Sequence, residues 1–187
     1  MEIKPYLAAA LLLCPLLGFA VPPHWQIDPA KSELSFTGTQ NGAPVKGAFK
    51  TFSGDIQVDP NDLKNSSFSI IVDINSISAS YGEVKTTLIT PDWFNVKLFP
   101  KAEFKSTKIV KTGENSYQAE GLLTIRDKSQ PATLIFTAKQ PDANNGTVEG
   151  STVIKRTMFG VGQGEWASTD AVKDEVTANF KVSAVRK

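Results

Sequence analysis

From residue 31 onward, apolar and polar residues alternate in short runs separated by clusters of Gly, Pro, Asn and Asp. A period of two is the mark of a strand with one buried face. "SELSFTG" places Leu34 and Phe36 on one side, and "FSGDIQVD" does the same with Ile56 and Val58. In "SFSIIVDINSI", Phe68, Ile70, Val72 and Ile74 share one face, and Ile71 is the single apolar residue on the other. "AEFKSTKIV", "YQAEGLLTIRD", "ATLIFTA", "TVEGSTVIKR" and "EVTANFKVSAV" continue the pattern through Phe104, Leu123, Ile125, Phe136, Ile154 and Phe180. Eight strands are predicted. The meander breaks once, at residues 80 to 99, where Val84, Leu88 and Ile89 fall at helical spacing. The spacing predicts a short helix from about Gly82 to Ile89, ended by Pro91 because a residue before proline is pushed out of the α region. Asp92 is placed to cap a further turn through "WFNV".

Antiparallel strands with one apolar face close into either a sandwich or a barrel. A barrel of eight strands removes its edges and can enclose one ligand. Small residues at inward positions, Ala102, Ala119, Gly121, Gly150, Ala178 and Ala184, leave room for a cavity. The alternative is a centre filled by the facing Phe and Ile side chains.

The first 20 of the 187 residues read differently. "MEIKPYLAAALLLCPLLGFA" has Lys4, an apolar run from Leu7 and small residues at Gly18 and Ala20, the pattern of a secretory signal peptide cleaved after Ala20. Pro15 interrupts the run, which falls short of the roughly 20 apolar residues that span a bilayer. The one cysteine, Cys14, lies in this segment between Leu13 and Pro15, a poor context for lipid attachment. The expected mature chain, residues 21–187, is one domain without thiol chemistry or disulfides. With 20 Lys and Arg against 19 Asp and Glu and no basic run, nothing attracts nucleic acid.

Candidate chemistry is sparse. The single histidine, His24, stands three residues past the expected cleavage site, where a frayed terminus would hold no triad or metal rigidly. The acids sit at turns and on polar strand faces. Gly160, Gly162 and Gly164 in "FGVGQGEW" open no helix, so a dinucleotide loop is excluded and a bent loop carrying Phe159 and Trp166 to a barrel mouth is expected. Arg126 and Arg156 each end an apolar strand, where a guanidinium can hold a phosphate or a carboxylate, or else a neighbouring acid. "TPDWFNVKLFPKAEFKST" puts Trp93, Phe94 and Phe99 between Pro91 and Pro100, as a lid over the cavity or a plug at its base.

Five segments in order, "WQIDPAKSELSF", "GAFKTFSGDIQVDP", "LITPDWFNVKLFPKAEFKST", "GLLTIRDKSQPATL" and "IKRTMFGVG", resemble the YceI-like family of secreted bacterial proteins over residues 24–185. Lys31 and "YGEVKTTLIT" depart from the family pattern, so no role of charged residues at those places is carried over. The resemblance implies an all-β fold, an eight-stranded antiparallel lipocalin-like β-barrel with a short helical insert. It further implies a periplasmic protein that binds a long apolar molecule, a polyisoprenoid or a fatty-acid-like amphiphile, as carrier, buffer or store.

On that reading the expected binding residues are Phe36, Phe68, Ile70, Val72, Leu88, Trp93, Phe94, Phe99, Phe104, Leu123, Ile125, Phe136, Ile154, Phe159, Trp166 and Phe180. Arg126 and Arg156 are the candidates for a polar head group. No catalysis, cofactor or metal is expected, and the partners are the lipid itself, transiently a membrane, and a second copy in a homodimer. The alternative is a filled barrel acting as an interaction module of the cell envelope.

Overall fold

The computed structural model describes residues 21–140 and 142–187. The signal peptide expected over residues 1–20 therefore lies outside the described residues. All eight predicted strands form. They are β2 (Glu33–Gln40), β4 (Phe52–Gln57), β5 (Ser67–Asp73), β7 (Lys101–Lys111), β8 (Ser116–Ile125), β9 (Lys128–Lys139), β10 (Asn145–Lys155) and β11 (Glu175–Arg186). Three more appear: β1 (His24–Ile27), β3 (Ala43–Phe49) and β6 (Ile77–Ala79).

The ring runs β1-β4-β5-β7-β8-β9-β10-β11 and closes where β11 returns to β1, giving eight antiparallel strands. Closure depends on how β11 divides one edge. Its Thr177–Lys181 stretch pairs with β2, while Ala184–Arg186 pairs with β1. The first two strands thus lie end to end along the last, and β2 leads out through β3 to β6 as a flap beside the ring. Asn41 and Gly42, both at positive φ, make the two-residue turn of the β2–β3 hairpin, the geometry an Asn-Gly pair favours.

The helix α1 (Gly82–Leu88) forms where predicted, and its C-terminal Leu88 is buried. The further turn expected after Asp92 is not helical. Residues 90–99 are chained turns in which Trp93 N–H donates to Thr90 O, Phe94 N–H to Leu88 O and Phe99 N–H to Asn95 O, with Asn95 at φ 50°. Pro91 and Pro100 bound this segment and supply no N–H to extend a helix.

Ala119, Phe104 and Ile109 are buried on the ring strands, but the buried side chains that pack together as a cluster do not sit at the ring's centre. Ile77, Leu88, Trp93, Phe159 and Val161 form a buried cluster where α1, the 90–99 turns and the 156–173 segment meet over one end of the barrel. Inward residues of the strands, such as Ile70, Phe136, Phe180 and Val182, are only half-buried, because they face an internal space.

The small inward residues divide into two kinds. Ala102, Ala178 and Ala184 border the cavity. Ala119, which is fully buried, Gly121 and Gly150 do not; a Cβ at Gly150 would meet the Ile135 carbonyl and, at 2.6 Å, Phe136 Cβ, and one at Gly121 would meet the Lys105 carbonyl and, at 2.6 Å, Phe104 Cζ. Gly121 lets the Phe104 ring of the adjoining strand lie across the wall and Gly150 lets the main chain of β9 approach closely, so they shape the lining instead of enlarging the space. Gly150→Ala is expected to lower unfolding free energy by about 1 to 3 kcal/mol, read by denaturant titration, because main-chain atoms of β9 must move aside.

Candidate functional site

The inward faces of the ring enclose a cavity of about 620 Å³, within the roughly 300 to 1,000 Å³ of small-molecule sites. On β11, Val176, Ala178, Phe180, Val182 and Ala184 all border it. Four steps of two residues at about 3.4 Å per residue make that row roughly 27 Å long. The site is a tunnel along the barrel, walled mostly by apolar carbon.

Aromatic rings set its cross-section. Phe136 stacks on Tyr117 with centroids 5.7 Å apart and tilts against Phe180 at 6.4 Å, and Phe68 meets Phe104 at 5.7 Å. At the helical end, Phe36, Phe49 and Phe94 form a chain with spacings of 5.6 and 6.1 Å. Trp25 closes the opposite end: its ring lies 3.5 Å from where a Cβ of Gly146 would be, and its Nε1–H donates to Val58 O at 2.9 Å.

Of the residues expected to bind ligand, all border this cavity except Phe99 and Arg126. Phe99 instead lies under the Arg126 guanidinium, 5.5 Å from ring centroid to Cζ. Arg126, at φ 57°, turns its Nη1 into the end segments and donates to Trp93 O at 2.7 Å and Gly160 O at 2.6 Å. Trp93 is plug more than lid, since it is 93% buried within the end cluster while one side meets the cavity.

Arg156 borders the cavity but holds neither an acid nor a free face for a head group. It is 4% exposed, and its three nitrogens donate to six main-chain carbonyls, those of Val161, Gly162, Trp166, Ser168, Val172 and Lys173, at 2.9 to 3.2 Å. Burial pushes its pKa down, opposed by the nearby Asp174 carboxylate. Its role is to fold the 161–173 loop around one cation. Gly160, Gly162 and Gly164, all at positive φ, let the loop bend tightly enough to do so, and Phe159 and Trp166 come to the cavity as expected. Asp92 ties the two end segments together, its carbonyl accepting from Gly162 N–H at 2.8 Å and Gln163 N–H at 2.7 Å.

His24 is not frayed: it begins β1, opposite Gln57, and its Nε2 is 3.0 Å from Asp55 Oδ1 on the outside. Among the described residues no three His, Cys, Asp or Glu side chains converge as metal ligands would. The sequence reading missed Trp25, Val45, Val58, Leu63 and Tyr117 as cavity residues. The alternation of Trp25 and Ile27 around Gln26 was a signal for the first of these.

Residues 25–184 match the family profile described as the YceI-like domain. The chain belongs to the YceI-like family. BcnA from Burkholderia cenocepacia has a solved structure that matches this YceI-like barrel with a TM-score of 0.80 and 36% identity, covering 84% of this chain and 98% of the other. The YceI protein of Campylobacter jejuni gives 0.67 at 25% identity, covering 75% and 84%. A polyisoprenoid binding domain from Saccharophagus degradans shares the fold at 0.69 with 13% identity, covering 88% and 99%. A UPF0312 protein of Vibrio parahaemolyticus is 31% identical over 90 residues, 48% of each chain. The chain thus spans about half the length of the curated relatives it matches.

Arg156→Lys removes the planar fork and leaves most of the six carbonyls without a donor. It is expected to destabilise the YceI-like fold by roughly 3 kcal/mol or more, with hydrogen exchange accelerated first over residues 160–173. Both are read by urea unfolding and exchange mass spectrometry.

Proposed function

We propose that the protein holds a long-chain apolar molecule, of the polyisoprenoid or fatty-acid-like type, inside the barrel, and serves in the periplasm as its carrier, buffer or store. One observation carries this reading: a cavity of about 620 Å³ bordered on β11 by a row of inward residues roughly 27 Å long by strand rise, walled by Phe, Ile, Leu and Val of the other ring strands and by Trp25 of β1. A hydrocarbon chain in water exposes carbon along its whole length, and each CH₂ moved into such a tunnel gains about 0.8 kcal/mol. The polyisoprenoid binding domain that shares this fold supports the ligand class. A barrel filled by its own side chains does not describe these strands, whose inward residues border open space. Binding, not catalysis, is the role that the family and the apolar wall support.

Native mass spectrometry of protein purified from its source without delipidation is expected to show a bound amphiphile; protein that never carries one would overturn the reading. Ala178→Trp places an indole between Phe36 and Thr152, the cross-strand neighbours of Ala178. It is expected to weaken binding of an apolar fluorescent probe at least about tenfold while the far-ultraviolet spectrum of the barrel stays intact.

A further inference from the structure

On the outside of the barrel, Ile135 of β9 and Val153 of β10 are 63% and 59% exposed. A lone exposed apolar side chain is ordinary, so these two carry meaning only through the face on which they stand. Strand register defines that face. Gln118, Ile135, Ser151, Asn179, Ser35 and Ala48 lie side by side across six strands, from β8 to β3, all at outward positions. None of the six is charged, in a chain in which 21% of residues are.

The charges stand at the corners of this face, and their signs alternate. Along the β10–β11 seam the outward cross-strand pairs are Glu149 with Lys181, Ser151 with Asn179, Val153 with Thr177 and Lys155 with Glu175. The acid is therefore on β10 at one end of the seam and on β11 at the other. Glu149 Oε1 and Lys181 Nζ are 3.0 Å apart. Farther out, Glu120 of β8 and Lys46 of β3 flank the face at the same number of strands from the seam on either side. The two sides also differ in relief. Ile135 and Val153 project on the β9–β10 side, whereas on the other side Ser35, Thr37, Ala48 and Ser78 help to line a groove of about 520 Å³.

We propose that this face binds a second copy of the chain, about a two-fold axis that runs along the β10–β11 seam. Such an axis sets β10 against the partner's β11, β9 against its β2 and β8 against its β3, and repeats every contact in the reverse sense. Glu149 then meets the partner's Lys181, Lys155 meets the partner's Glu175, and Glu120 meets the partner's Lys46. Ile135 enters the partner's groove, and the groove of the first copy receives the partner's Ile135. No like charges are opposed, and the centre that loses water holds no ion to desolvate. A partner of a single sign, such as an anionic membrane, would meet repulsion at two of the four corners of the seam. The contact lies on the outer face and is independent of what the barrel holds.

Sedimentation equilibrium tests the proposal. The wild type is expected at twice the mass of one chain at roughly 100 µM, and a single-chain mass there overturns it. Ile135→Glu, at an exposed position, is expected to raise the dissociation constant of the dimer at least about tenfold. Two charge variants read the seam itself. Glu149→Lys with Glu175→Lys makes all four corners positive, and Lys155→Glu with Lys181→Glu makes all four negative. Each protein alone is expected to be monomeric, while an equal mixture regains a dimer containing one chain of each kind. A dimer that none of these substitutions weakens, or a mixture that stays monomeric, overturns the assignment. Monomeric wild type that floats with zwitterionic phospholipid vesicles, and loses them on Ile135→Glu, gives the face to a lipid surface and overturns it as well.

Discussion

Six carbonyls converging on one guanidinium hold the helical end of this barrel together. The 161–173 loop has little regular structure of its own, so its main-chain acceptors must find donors elsewhere or stay wet. Arg156 supplies them from a single buried point. Lysine has no such fork, and a carboxylate partner would have competed for the same N–H groups. Because the loop is fixed, Phe159 and Val161 can pack against Leu88 and Trp93, and the end of the tunnel acquires a floor.

That floor explains how a fold can leave its middle unpacked. Leaving inward residues half-buried forgoes part of the stabilisation a filled core gives. Compensation comes from two places: an unbroken ring of main-chain hydrogen bonds, and the cluster of Ile77, Leu88, Trp93, Phe159 and Val161 displaced to one end. Separating the packed core from the strands' inner faces frees those faces to meet a ligand.

Much of this was legible in the sequence. Alternation located eight strands and the inward residues on them, since a period of two maps directly onto two faces. The helix was readable from Val84, Leu88 and Ile89, and its end from Pro91. The flap strand β3 was obscured by Pro44 and Gly47, although Asn41-Gly42 announced its hairpin. β1 and β6, four and three residues long, are too short for alternation to register. The roles of Arg126 and Arg156 were not readable, because their partners are main-chain carbonyls and a carbonyl has no letter in the sequence. Nor was the fate of Gly121 and Gly150, which depends on how closely the adjoining strand and the Phe104 ring approach them.

The seam of the ring joins the two ends of the described chain. β1 starts at His24 and β11 finishes at Arg186, and only their pairing completes the wall. Strands about 160 residues apart in sequence must find one another before the tunnel has an inside, and contacts of such separation slow folding. A chain still being synthesised therefore has no compartment to fill. An enclosed space exists only once the last strand has paired with the first.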